Sequence, residues 1–380
     1  MSPAASNQKG GWLRRAVLNG ALLLFSFVVA VGLAEIAVRI AAPQQLIILR
    51  PDLWQPADTI GWLRRPNVDA SINTGQGEVR LIADHEGFRV GPQGRVNGTP
   101  VLFLGDSFVE ALQVEYEESV TGLLEKSLTL ATGSSVAVRN AGTGGWSPNH
   151  YYLRARTLLP REPYRLVITA VFVGNDVQPK REQYFAPRAP AERHRFHWPR
   201  NLSKAELMSA TVHPLNDMLE ERSHLFVLLR GRLETLRMKT GTYPLYFPQE
   251  FLRAQANSDS WGVTADICRD ISELAAKHDA RALFVLIPAD FQVNEAKFDQ
   301  YVRGFGIDTA TVDLEQPTRR LSEELAARDL TFVDALPRFR ELNARGESLY
   351  GHVDPHLSPA GHKALADLIT PVAARLLQEN

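Results

Sequence analysis

Gly105-Asp106-Ser107 follows directly on the apolar run Val101–Leu104, so a serine stands at the tip of a buried strand. Three later stretches repeat the layout of an apolar segment ending in a polar group: Asn140–Gly145, Gly174-Asn175-Asp176 and Asp354-Pro355-His356. In a parallel sheet such ends share one rim, where open α/β sheets bind ligands. A hydroxyl, an imidazole, a carboxylate, an amide and glycine N–H groups would then converge. Acyl transfer from an ester needs that set.

Each residue has a task in that chemistry. The Ser107 hydroxyl is a poor nucleophile until a base takes its proton. His356 is the candidate base, because an imidazole titrates near neutral pH. Asp354, two residues earlier, is placed to orient the ring and stabilise its cation. Candidate oxyanion donors are the Asn175 amide, the Gly145 N–H and the Ser107 N–H. Gly142-Thr143-Gly144-Gly145 is not a phosphate loop, because no Lys-Ser/Thr follows it. His352, Asp354 and His356 alternate as loose metal ligands would, but no Cys or Glu lies nearby, so neither a metal nor a cofactor is expected. His362 reads as a helix-surface residue, and Cys268, the single cysteine, as a small buried apolar group.

The elements that must position these residues begin at Pro100, where strands and helices alternate. Strands are expected at 101–104, 136–139, 166–173, 282–287 and 331–333. Helices are expected at 119–130, 149–159, 260–278, 294–305, 317–328 and 359–378. Five strands separated by helices imply an α/β chain: a three-layer α/β/α sandwich around a central five-stranded parallel sheet. Residues 43–99 read as an approach segment of strands and turns packed on the 100–380 domain, including the apolar stretch Leu46–Leu49. In it Gly61-Trp62 and Gly87-Phe88-Arg89 are turn glycines beside packing aromatics. An insertion at about 178–257 breaks the rhythm. Lys180–Arg200 carries six Lys/Arg against two Glu, with Tyr184, Phe185, Phe196 and Trp198 between them. It reads as a lid or substrate surface or, equally, as a solvated basic loop. Residues 215–238 read as one helical stretch.

Residues 1–15 form a basic cytoplasmic N-terminus, with Lys9, Arg14 and Arg15 ahead of an apolar run of 19 residues from Ala16 to Ala34. About 20 residues cross a bilayer as a helix, so 16–42 is expected to be a transmembrane anchor. Gly32-Leu33-Ala34 leaves signal cleavage open, and the Arg14-Arg15 pair is only a weak twin-arginine signal. Positive charge before the span puts the remainder outside. Glu35 and Arg39 are spaced to pair on one helix face. The 380 residues carry a net charge of −1, with 22% charged, so nucleic acid is not an expected partner.

Taken together, the four blocks resemble, in order, those of the SGNH or GDSL-type hydrolases. Gly105-Asp106-Ser107 is similar to the first, Asn140–Gly145 to the second, Gly174-Asn175-Asp176 to the third, and Asp354 with His356 to the last. The resemblance implies a flavodoxin-like SGNH fold, with Ser107, Asp354 and His356 catalytic and Ser107, Gly145 and Asn175 as the oxyanion hole. Phe108 replaces the common leucine. Asp-x-His in place of Asp-x-x-His is similar to alginate-type O-acetyltransferases. The implied protein is a bacterial inner-membrane, single-pass serine esterase with its catalytic domain in the periplasm or outside the cell, removing acetyl or other acyl groups from a glycan. The alternatives are an O-acetyltransferase on exported polysaccharide using the same residues, and a non-catalytic glycan-binding or scaffold component of an export complex. The implied partners are an acylated small molecule or glycan and, through the helix, the membrane.

Overall fold

The computed structural model describes residues 7–42, 44, 52–74, 77–177, 196–239, 247–253, 259–352 and 354–379. The apolar stretch 46–49 and all of the basic insert before residue 196 lie outside them. The chain divides into two compact units, Met1–Leu49 with Arg193–Thr235, and Arg50–Glu192 with Leu236–Asn380.

The chain starts with helix α1 (Asn7–Ala41). Strands β1 (Trp54–Ala57) and β2 (Gly61–Arg64) form a separate antiparallel pair, followed by β3 (Asp69–Asn73), β4 (Glu78–Ala83) and β5 (Arg89–Val90). The alternating part runs β6 (Thr99–Leu104), α2 (Ser107–Glu110), α3 (Val120–Thr132), β7 (Val136–Asn140), α4 (Pro148–Leu158) and β8 (Leu166–Phe172). Helices α5 (Lys204–Leu207), α6 (His213–Arg222) and α7 (His224–Lys239) come next. After them come α8 (Ser260–Ala276), β9 (Arg281–Ile287), α9 (Asp290–Val293), α10 (Glu295–Phe305), α11 (Gln316–Ala326), β10 (Phe332–Asp334), α12 (Leu336–Ala344) and α13 (Pro359–Gln378).

Five strands are parallel, in the order β7-β6-β8-β9-β10. Taken in chain order this is 2-1-3-4-5, the doubly wound arrangement whose order reverses between β6 and β8. The sheet itself is larger than the sequence leads one to expect. Arg89 of β5 pairs antiparallel with Asn140 of β7, and β4 and β3 continue outward, so eight strands form one mixed sheet. Residues 69–90 therefore extend the sheet edge to edge. Burial alternates along β4, as in a strand with one face solvated.

The parallel strands are apolar on both faces. Leu102 and Leu104 of β6 point into one core with α4 and α8, while Val101 and Phe103 point into the other with α3 and α13. Helices thus cover both sides, the three-layer arrangement. Cys268 is buried in the first core. Phe247 and Phe251 join that core against Phe291, so the chain is back in the main unit by residue 247. The helical stretch expected at 215–238 is broken at Ser223, whose extended backbone separates α6 from α7. His362 is not on a surface: it is 1% exposed, accepts from Val120 N through Nδ1, and has its pKa pushed down to about 3 by burial, with Arg89 and His356 adding to the effect.

In the other unit, the Arg14–Ala41 part of α1 is long and apolar enough to cross a membrane and is unburied. Glu35 and Arg39 pair at 2.7 Å, as their spacing predicts. Beyond that pair, Glu35 accepts from Ser223 Oγ and from the N–H groups of His224 and Leu225, at 2.8–3.0 Å. Arg39 donates to the Arg222 carbonyl. The carboxylate of α1 thus caps the first turn of α7, where backbone N–H groups have no helical partner.

Candidate active site

Ser107 is the first residue of α2, at the C-terminal end of β6. Asp106 caps that helix, its Oδ1 accepting from Phe108 N at 2.9 Å. Beyond α2, Ala111 adopts a left-handed conformation, and the buried Arg89 donates to the carbonyls of Glu110, Ala111 and Val114. The Gly-Phe-Arg element therefore supplies more than a turn and a packing ring. Its guanidinium satisfies the carbonyls at the end of the helix that Ser107 begins.

His356 and Asp354 lie on the loop leading into α13. The loop is held by Gly351 N donating to the His356 carbonyl, Ser358 N donating to the Leu349 carbonyl, and Tyr350 donating its hydroxyl proton to the Pro288 carbonyl. His356 Nε2 lies 2.7 Å from Ser107 Oγ. On the ring's other side Nδ1 bonds to Asp354 Oδ1, and Asp354 Oδ2 accepts from Gln113 Nε2 at 3.0 Å. Phe108 packs its ring 4.9 Å from the imidazole. The structure thus brings the far end of the chain onto the first strand's tip. Burial disfavours the imidazolium, but the hydrogen bond and charge of Asp354 outweigh it, and the His356 pKa rises above its ordinary value. Burial likewise opposes ionisation of Asp354, yet the bond to His356 holds its carboxyl below the usual range.

Asn175 follows β8, across the switch point from β6. Its Nδ2 lies 3.5 Å from Asp106 Oδ2, which places the amide beside the Ser107 turn. Asp106 is fully buried, and burial pushes its pKa up to about 6. Asp176 is buried too, and burial with the nearby Asp106 charge holds its pKa well above the usual carboxylate range. It accepts from the Tyr151 hydroxyl and Phe172 N, which ties the Asn175 turn to α4 and β8.

Gly145 has φ +77°, a conformation that favours glycine, and a Cβ there would sit 3.3 Å from the Trp62 ring. Trp62 aside, its loop is fastened by residues that sequence reasoning does not single out. Glu110, 1% exposed, accepts from Gly144 N at 2.6 Å through Oε2. Its Oε1 accepts from Trp54 Nε1 and from Arg64 Nη2, each at 3.0 Å. Arg64 in turn donates to the Gly142 carbonyl at 2.6 Å, and Trp62 Nε1 to the Gly144 carbonyl at 3.1 Å. The side chains of this ion pair are 2% and 1% exposed. The available signal is one acid inside the apolar run Phe108-Val109-Glu110-Ala111-Leu112. Nothing in the spacing indicates that Arg64 and Trp54 reach it.

His352 is exposed, its carbonyl accepting from Lys297 Nζ. Among the described residues no three His, Cys, Asp or Glu side chains are grouped to hold a metal ion.

No family model and no curated protein matches the sequence. Solved structures that are similar include a lipolytic G-D-S-L family protein from Veillonella parvula, at 12% identity and TM-score 0.38, covering 73% of this chain and 98% of that one. The acetyl xylan esterase AlAXEase is 12% identical with TM-score 0.40, covering 72% and 98%. A variant of the acetyl xylan esterase Axe2 from Geobacillus stearothermophilus is 13% identical with TM-score 0.37, covering 74% and 95%. Superposition at that level assigns no residue a role, and the chemistry is read from the side chains themselves.

Proposed function

We propose that this protein is a serine esterase acting through an acyl-serine intermediate, tethered by α1 and facing away from the cytoplasm. The observation that carries the reading is the continuous hydrogen-bonded series Ser107 Oγ, His356 Nε2, His356 Nδ1 and Asp354 Oδ1. Ser107 Oγ attacks the acyl carbon as its proton passes to His356, and Asp354 stabilises the imidazolium. The N–H groups of Ser107 and Gly145 and the Asn175 amide receive the developing oxyanion. Collapse expels the alcohol, which takes the proton from His356. Water then enters with the same residues in reverse order and releases the acid.

The acetyl ester of a glycan is the proposed substrate. This follows from the resemblance of the sequence blocks and agrees with the acetyl xylan esterases among the similar structures. The Asp354-x-His356 spacing favours a second reading, transfer of the acetyl group to a sugar hydroxyl on an exported polysaccharide. A fluorophosphonate probe followed by mass spectrometry tests the nucleophile: the expected adduct is on Ser107 and is absent from Ser107→Ala. An intact protein that never labels removes the enzymatic reading and leaves the glycan-binding one. An isotopically labelled acetyl donor, supplied with an oligosaccharide acceptor, separates the two enzymatic readings by whether label reaches water or sugar.

A further inference from the structure

Helix α7 carries Leu229, Leu233 and Leu236 at 58%, 52% and 56% exposure. Spaced by four and three residues, they lie on one helix face, and the half-buried Leu225 begins the same stripe. Arg232 borders that face on one side, and Arg237 and Arg230, the latter paired with Glu220, border it on the other. Singly exposed leucines need no explanation, but a stripe of them does.

The start of α7 is fixed to α1. Glu35 takes the first N–H groups of α7 and the Ser223 hydroxyl, and Arg39 takes the last carbonyl of α6. Along an ideal helix Arg14 and Glu35 are about 32 Å apart, and the hydrocarbon core of a bilayer is about 30 Å thick. With Arg14 at the inner boundary, Glu35 falls at the outer one, and the first turn of α7 falls with it. In the same unit Phe196 and Trp198 are 59% and 93% exposed, and such aromatic rings are enriched at membrane interfaces. An exposed leucine stripe beside Arg232, whose apolar stem can lie along the acyl boundary while its charge reaches phosphate, suits contact with a membrane interface.

We propose that α7 docks on the outer leaflet of the membrane that α1 spans, its leucine stripe in the boundary between headgroups and acyl chains and Arg232 on anionic headgroups. The proposal rests on the anchoring reading above. The test uses the full chain with Cys268→Ser, reconstituted in vesicles of phosphatidylethanolamine and phosphatidylglycerol. Single cysteines at positions 25, 229, 231 and 233 each carry an environment-sensitive fluorophore. Gly231 lies on the opposite face, and a Cβ there meets nothing within 4 Å. The expected result is loss of most of the emission at 229 and 233 to a headgroup nitroxide lipid, retained emission at 231, and quenching at 25 by a deep acyl nitroxide only. Unquenched labels at 229 and 233 with a quenched label at 25 overturn the docking and leave the anchor standing. Equal quenching at 229, 231 and 233 also overturns it, because the stripe would then not be the membrane face. A label at 25 that no lipid quenches removes the anchor, and the docking with it.

Discussion

Glu110→Gln tests whether the loop carrying Gly145 is held in place from outside the parallel sheet. Glu110 uses both carboxylate oxygens, one for Trp54 and Arg64 and the other for Gly144 N. A glutamine has one acceptor oxygen and one donor NH2, so it can serve only one side. If the oxygen stays with Arg64 and Trp54, the NH2 faces the Gly144 N–H and pushes it away. The ion pair is buried on both sides, and removing one charge from such a pair costs roughly 3–5 kcal/mol because the other is left uncompensated. For a unit of this size that corresponds to a loss in Tm on the order of 10 °C. The catalytic effect is separate. A Cβ at Gly144 would lie 3.8 Å from the Ser107 Cβ, so this loop sits directly against Ser107. Displacing it withdraws the neighbouring Gly145 N–H, and losing one oxyanion donor costs roughly 10²–10³-fold in kcat. Thermal unfolding and steady-state hydrolysis of a chromogenic aryl acetate read the two effects independently, with KM expected to change little. The double variant Arg64→Met/Glu110→Met restores an apolar, uncharged contact. Only part of the lost Tm should return, because the uncompensated charge is gone but Trp54 Nε1, Gly144 N and the Gly142 carbonyl lose these partners, while kcat should stay low because Gly144 N still lacks its acceptor. A double variant that regains both Tm and kcat would refute the positioning role and leave the pair a structural element.

Asn175→Ala should lower kcat by roughly 10²–10³-fold with little change in Tm; unchanged turnover would remove the amide from the mechanism. His356 must be neutral to accept the Ser107 proton, and its pKa lies above 6.5, so kcat/KM should fall as pH drops through a midpoint above 6.5. Asp354→Asn should move that midpoint to lower pH and reduce kcat by roughly 10⁴-fold, and an unmoved midpoint would assign the acid limb to another group. His362 is buried neutral, its pKa lowered from 6.5 to about 3. The unfolded chain therefore binds a proton that the folded one excludes, and stability is lost as pH falls from 6.5 toward about 3. In His362→Asn, which keeps an acceptor for Val120 N, the urea midpoint should fall less steeply over that interval.

Much of this site is legible in the chain because strand ends are local events. Apolar runs of four to eight residues followed by Gly105-Asp106-Ser107 or Gly174-Asn175-Asp176 mark both the strand and the residue it presents. His362 was legible too: Leu365, Ala366 and Ile369 at three, four and seven residues beyond it form the buried stripe of α13, and the stripe includes the histidine. Its polar type argued for a surface, but the ring lies neutral in the core with its Nδ1 accepting from Val120 N.

Periodicity along the chain thus determined the alternation of strands and helices, the parallel core of the sheet and the four segments that end on one rim, because burial repeats every two or about 3.6 residues. Tertiary structure alone decided that β3, β4 and β5 extend the sheet, that Ser223 divides the helical insert, and that Arg64 and Trp54 brace the Gly142–Gly145 loop through Glu110. A buried charge finds its partner across the fold, 46 residues away in the case of Arg64 and Glu110. Such a pairing depends on which groups are excluded from water together and leaves no repeat in the sequence.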